Sequence, residues 1–517
     1  MLLSQASTRR QCAQLQQPHL PMAVLQLLLL FVFMYTFLHA VPTASAAHCV
    51  GVGKRDITGP VGEIGMMGYG DAGQTTTGIL NRLYARAYVI EDCSAGDEDQ
   101  HDNRVLIVHC DLHAVYQLVH QEVIQRLKVK YSGLYTEQNV VLHATHTHGG
   151  PGGASAYFLY DVSIWGFVGE NFGVIVDGIM DAIELAHASI RPGSVRFNKG
   201  AVVNGGVNRS PEAYDANPEE ERHLYASNHD TDLTMLQFRD GDDMLIGLLA
   251  FYPVHPTSLT RHNRLITGDN KGYAEFLLET QLPGVVAGIG ISNAGDVSPN
   301  LVDNGDGTFS GEGETDLESA EIIGSRQAGK VLELLDAPSE LAAGSVSGKL
   351  SYVDFANVSL HDREPSEDEP YAHRTCPGLL GQNFGAGTED GRGIAALKEG
   401  DLEVNRVFQF LSSVVKSTPK WVQECHTKNK VPLLATGLMR PVKWVPEVLP
   451  VQVVKIGQIG LAVTNFEVST MAGRRIRATV RGVLKSAGVT EVEVAAMSNA
   501  YAQYITTKEE YLTQHYE

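Results

Sequence analysis

The chain has 517 residues, 43% of them hydrophobic and 19% charged, a globular composition too long for one small core. A formal net charge of -20 leaves no basic excess to neutralise phosphates, which argues against a nucleic-acid partner. Six cysteines are too few for a disulfide-dense scaffold.

In chain order, Arg9 and Arg10 precede an apolar run from Met22 to Val41, and small residues follow from Pro42 to Ala47. This is the layout of a secretory signal cut after Ala46 or Ala47. The run also approaches the ~20 residues that span a bilayer, so an uncleaved signal anchor is the alternative. Starting at Met22 would remove the basic segment. Residues 1–47 are therefore expected to be a signal peptide or anchor, and 48–517 one large domain in the secretory lumen or outside the cell. Disulfides are permitted there. Cys93 and Cys110 flank an acidic segment and can pair or stay free. Asn357-Val-Ser is a glycosylation sequon, whereas Asn208-Arg-Ser is spoiled by Pro211.

Residues 104–110 read as a strand, 115–129 as a helix and 138–142 as a strand, which predicts a βαβ unit. Further helices are expected at 171–188, 317–335 and 469–484. Further strands are expected at 194–197, 244–252, 285–291 and 459–463. The alternation predicts an α/β (mixed α+β) fold, with mixed sheets flanked by helices. Residues 91–103 read as a solvated loop. Asp303-Asn-Gly-Asp-Gly lacks the ligand spacing of a calcium loop and reads as a turn. There is no internal repeat.

Several strands end on chemistry-bearing residues, as α/β enzymes place them. His146 and His148 are two apart, so both side chains can point to one side, and a neutral imidazole is a good zinc ligand. Alone, such a pair more often bonds a carbonyl. His255 follows the strand 244–252, while His262 reads as a surface residue. Glu467 precedes a helix and alone would be a carboxylate favoured by the helix dipole. Ser298 follows the strand 285–291 and alone would be a turn serine before Pro299.

Five blocks change that reading: Thr145-His-Thr-His-Gly-Gly-Pro-Gly-Gly, Tyr252-Pro-Val-His-Pro-Thr-Ser with Gly268-Asp-Asn-Lys-Gly-Tyr-Ala, Asn293-Ala-Gly-Asp-Val-Ser-Pro-Asn, Phe466-Glu-Val-Ser-Thr-Met-Ala-Gly-Arg-Arg, and Tyr501-Ala-Gln-Tyr-Ile-Thr-Thr-Lys-Glu-Glu-Tyr. In this order they resemble the neutral ceramidases, from about Val50 to Glu517. One departure is Gly149, where that family usually has Ser. The resemblance implies one zinc ion held by His146, His255, Glu467 and Tyr504, with Tyr501 the neighbour most easily confused with the last. It places His148 beside substrate and the proton transfers, Arg209 on the substrate head group, Tyr516 near the scissile amide and Gly68 in the site lining. It names Ser298 as nucleophile; the alternative is that zinc-activated water attacks while Ser298 positions the amide. It pairs Cys376 with Cys425.

The expected reaction is hydrolysis of ceramide, a sphingolipid presented at a membrane surface, to sphingosine and a fatty acid. Alternatives are a zinc amidase or esterase for another acyl substrate, or an inactive lipid-binding protein. Family members continue past Glu517 and add a small β-sandwich, so the chain is expected to be C-terminally incomplete.

Overall fold

In the structure, a computed structural model, the described residues are 48–93, 103–305, 308–360, 364–366 and 370–515. All belong to the unit Ala46–Glu517. The expected signal or anchor and Tyr516 lie outside the described residues, as does most of the loop 91–103.

A long mixed sheet is built from β1 His48–Asp56, β2 Tyr84–Glu91, β3 Arg104–Cys110, β4 Val140–Ala144, β5 Arg191–Ala201, β6 Asp232–Asp240, β7 Leu245–Tyr252 and β8 Val286–Ile291. Their order is β8-β7-β6-β5-β1-β2-β3-β4, and the short strand Glu340–Leu341 adds to β5. Only β3/β4 and β7/β8 are parallel, so the expected βαβ unit is present, with α1 Gln117–Lys130 as its crossover. β1 pairs with β5 over just His48–Val50, and β8 lies back against the other half of the sheet. There His143 Nε2 is 2.8 Å from the Ile291 carbonyl, and the Tyr88 hydroxyl donates to the Leu248 carbonyl at 2.8 Å.

A second sheet comprises β9 Val346–Asp354, β10 Val448–Ile456, β11 Ile459–Val463 and β12 Glu491–Ala495, with β11/β12 parallel. Alternation along β3 explains how the layers join. Val105 and Ile107 enter a core shared with Val454, Leu461 and Val463 of the second sheet. Leu106 and Val108 point the other way, into a core shared with helices. Among these is α2 Gly169–Ala188, whose buried face runs through Ile175, Val176, Ile179, Ala182, Ile183 and Ala186 at helical spacing. An Ile179→Ala change in that face would cost about 2–5 kcal/mol. The helices α3 Asp269–Gln281 and α4 Asp316–Asp336 pack against each other, and the Thr315 side chain caps α4 by accepting from Glu318 N. The helix Thr470–Leu484 covers the outer side of β11 and β12 through Ile476, Val480 and Leu484.

Cys93 pairs with neither of its expected options: it bonds Cys49, and Cys110 is free and buried. Register is the reason. Cys49 lies opposite Glu91, two residues before Cys93, whereas Cys110 lies opposite Ala85 at the far end of β2. Cys376 and Cys425 are bonded as the resemblance implies. Asn208 is buried and donates to Asp296, Asn357 is exposed, and Val302–Asp303 pairs antiparallel with Phe309–Ser310.

Candidate active site

His146 leaves β4 with φ 74°, a left-handed conformation that costs a non-glycine residue on the order of 1–3 kcal/mol. Two bonds hold it: its N–H donates to the Leu112 carbonyl at 2.8 Å, and its Nδ1 lies 2.7 Å from the His113 carbonyl. His255, beyond β7, has the same device, with Nδ1 2.6 Å from the Ala294 carbonyl. A carbonyl only accepts, so each Nδ1 carries the proton and each Nε2 offers a lone pair. Both lone pairs meet one carboxylate oxygen, Glu467 Oε2, at 3.3 Å from His146 and 3.2 Å from His255.

Three proton-free acceptors at this separation repel unless a cation lies among them. Atoms about 2.0–2.1 Å from a tetrahedral zinc ion are about 3.3 Å from each other. The donor set therefore fits zinc, and His146, His255 and Glu467 are the residues that would hold it. Tyr504, the expected fourth ligand, lies beside this group. The short strands Glu467–Val468 and Tyr504–Ile505 pair in parallel with Glu467 beside Tyr504. Tyr501 sits behind, donating to Glu467 Oε1, and so orients the carboxylate. Burial and then the Glu467 charge push the Tyr504 phenol well above its ordinary value, with Arg209 opposing.

Ser298 lies in the two-residue strand Val297–Ser298, paired antiparallel with Val207–Asn208, which brings it beside Arg209. Its hydroxyl donates to Asp390 Oδ1 at 2.6 Å and accepts from Asn300 N at 3.0 Å. Arg209 donates from Nη1 to Asp390 Oδ2 at 2.8 Å and from Nη2 to Tyr504 at 3.0 Å and Gly295 O at 2.8 Å. That Nη2 is also 3.4 Å from His255 Nε2. Arg209 thus joins the metal-ligating corner to the serine. Burial works to raise the Asp390 carboxyl, but the Arg209 guanidinium wins and keeps it below its ordinary value.

His148 Nε2 is 3.4 Å from His146 Nε2, and burial with the surrounding imidazoles lowers its pKa well below the ordinary range. Gly68, at φ 137°, is what admits this ring: a Cβ there would lie 2.3 Å from His148 Cγ. The expected residues Gly68, His146, His148, Arg209, His255, Ser298, Glu467 and Tyr504 therefore converge, and His262 is exposed. Sequence reasoning missed Asp390, Asn300 and His113. Asp390 had one signal, an acid within the glycine-rich turn Gly387-Thr-Glu-Asp-Gly-Arg-Gly. A separate buried cluster, His109, Asp111 and Glu275, already contains a cation: Arg86 Nη1 lies 3.1 Å from Asp111 Oδ1 and 2.8 Å from Glu275 Oε2.

A family model described as "Neutral/alkaline non-lysosomal ceramidase, N-terminal" matches residues 48–517. The neutral ceramidase of Pseudomonas aeruginosa is 38% identical over 90% of this chain and 68% of its own length. That of Drosophila melanogaster is 37% identical over 92% and 71%. A solved ceramidase complexed with C2 superposes with a TM-score of 0.81 at 37% identity, covering 91% of this chain and 71% of that one. The crystal structure of the Pseudomonas aeruginosa neutral ceramidase gives 0.78 at 36%, covering 91% and 70%.

Proposed function

The chain belongs to the neutral/alkaline ceramidase family, and from that premise we propose that it hydrolyses the amide of ceramide to sphingosine and a free fatty acid with one zinc ion. The observation that carries the zinc dependence is the convergence of His146 Nε2 and His255 Nε2 on Glu467 Oε2 at 3.2–3.3 Å.

An amide is a poor electrophile with a poor leaving group. Zinc held by His146, His255, Glu467 and Tyr504 would polarise its carbonyl and stabilise the oxyanion. The chain supplies the rest. Arg209 adds positive charge at the same corner and orients the head group. Ser298 is the nucleophile: its Oγ bonds the carbonyl carbon, and the sphingosine nitrogen leaves with a proton. His148, beside both the metal-ligating corner and Gly68, serves the proton transfers, and Tyr516 is assigned to the scissile amide. Water then releases the fatty acid from Ser298.

The substrate is met at a membrane surface, and the chain is assigned to the secretory pathway, facing outward. Supporting the first reading, the helix Arg406–Val415 buries no residue and exposes Val407, Phe410, Leu411 and Val414. Among the described residues no single helix is long and apolar enough to cross a membrane. Flotation with phosphatidylcholine vesicles tests surface binding: Phe410→Asp with Leu411→Asp is expected to abolish it, and unchanged flotation would refute the role of this helix.

The substrate assignment is tested by incubating the chain with fluorescent ceramide and with an N-acylethanolamine of the same acyl length. Release from ceramide alone, or at least tenfold faster by kcat/KM, is expected, a difference of about 1.4 kcal/mol in transition-state binding. Faster cleavage of the ethanolamide would reject ceramide as the substrate.

A further inference from the structure

Asp390 reaches the site from a loop far away in sequence, and each of its carboxylate oxygens is committed. Oδ1 accepts from Ser298 Oγ at 2.6 Å and from Asn300 Nδ2 at 2.7 Å. Oδ2 accepts from Arg209 Nη1 at 2.8 Å and lies 3.4 Å from Thr257 Oγ1. The side chain is 2% exposed. A buried carboxylate is costly unless paired, and this one is paired with a guanidinium that is equally buried. Its loop is built to reach this point. Gly391 packs against Tyr69, where a Cβ would lie 2.8 Å from the ring, and Arg261 Nη1 holds the Arg392 carbonyl at 2.7 Å. Tyr69 in turn stacks edge-on against His148, with centroids 4.6 Å apart.

The consequence lies in the serine hydroxyl, which has one proton and two lone pairs. Its proton is directed at Asp390, and one lone pair is taken by Asn300 N–H. One lone pair remains, so its direction is set by the other two bonds. Without Asp390 the hydroxyl could rotate, and Arg209 would lose its anion.

We propose that Asp390 is a positioning residue for amide hydrolysis: it locks the Ser298 hydroxyl against Arg209 so that the remaining Oγ lone pair faces the substrate carbonyl. This rests on the reading of Ser298 as nucleophile. Asp390 touches neither the metal-ligating side chains nor the scissile bond; its effect on rate passes through Ser298, whereas an effect through Arg209 alone would persist in a Ser298→Ala background.

The test uses the full chain with zinc bound and reads Ser298 directly. A fluorophosphonate bonds the Oγ of a well-oriented serine and expels fluoride, and peptide mass spectrometry follows the rate. Asp390→Asn should label at least about tenfold more slowly than wild type, with zinc content unchanged. In ceramide turnover kcat should fall by a similar factor with KM within about threefold, and the substitution should add nothing in a Ser298→Ala background. A merely structural role would lower the two backgrounds alike. Asp390→Glu keeps the charge but shifts the carboxylate by one methylene, and it is read the same way should Asp390→Asn fail to fold.

Labelling of Asp390→Asn at the wild-type rate, no labelling of wild-type Ser298, or multiplicative effects in the two backgrounds would overturn the proposal. Labelling that responds to Asp390 in a chain that leaves ceramide intact would uphold the role of Asp390 and reject the substrate reading instead.

Discussion

Glu467 and Tyr504 are register partners in a two-residue parallel ladder, Glu467–Val468 beside Tyr504–Ile505, so a carboxylate and a phenol share one backbone frame. Ser469 extends that frame by capping the helix Thr470–Leu484, its side chain accepting from Ala472 N. Its hydroxyl also donates to the buried Glu510, on the same segment as Tyr504. Side chains mounted this way would keep their separation with or without a bound metal.

Tyr501 is the cleanest probe of that frame. Its hydroxyl donates to Glu467 Oε1, the oxygen turned away from the imidazoles. Partners of this kind orient a ligand without touching the metal, and losing one costs about 10–100-fold in metal affinity. Tyr501→Phe is expected to weaken zinc binding by that factor in a competition titration against a chelator. Unchanged affinity would mean that the backbone pairing alone orients Glu467.

Gly68→Ala should damage the site without emptying it. The new methyl would lie 2.3 Å from His148 Cγ, at a backbone φ of 137° that side chains rarely adopt. The His148 ring must move, and a misplacement of about 1 Å commonly costs roughly 100-fold in rate. Turnover is expected to drop by about that factor while metal analysis finds zinc unchanged. A variant as active as wild type would remove His148 from the proton transfers.

How much of this was legible depended on how far the physics was local. The strand Ile459–Val463 was readable to the residue because it is a short apolar run ending in turn residues. The helix expected at 171–188 begins only two residues earlier. By contrast, β1 and β2 passed unread, since β1 is glycine-rich and β2 mixes Tyr, Arg and Glu with its apolar residues. α3 also passed unread, because it buries Asp269, Asn270, Lys271 and Glu275 rather than an apolar stripe. Within the site, motif blocks pointed to His146, His255, Ser298 and Glu467. Asp390 could not be placed, because its partner Ser298 is 92 residues away and only the fold unites them. The pairing of Cys93 failed for the same reason: strand register, not proximity in sequence, selects Cys49.

The bond Cys376–Cys425 closes a loop with a sequence separation of 49. In the chain-entropy picture such a loop is worth about 4 kcal/mol. Non-reduced peptide mapping should find this pair linked, and Cys376→Ser with Cys425→Ser should unfold at lower denaturant. Free thiols at both positions in the purified, non-reduced chain would contradict the pairing.

Acid should destabilise the fold through histidines buried in neutral form. His120, on α1, has no hydrogen-bond partner at either ring nitrogen among the described residues, and burial lowers it to about 4. Burial likewise lowers His109 and His143 to about 3. The unfolded chain takes up these protons near pH 6.5, while the folded chain does not until pH 4 or below. The unfolded state therefore binds more protons in that window, and stability falls as pH drops from 6.5 toward 4. Urea midpoints at pH 7.5 and pH 5 should show the fall, and His120→Leu should reduce it. An equal fall in the variant would place the proton uptake elsewhere.

The most direct test of the central claim measures zinc and ceramide turnover on the same preparations: wild type, His146→Ala and His255→Ala. Wild type is expected to carry one zinc per chain and to release sphingosine, to stop when stripped by a chelator and to recover when zinc is returned. Both variants are expected to lose the metal and the activity together. Turnover that survives chelation, or stoichiometric zinc retained by either variant, would contradict the account.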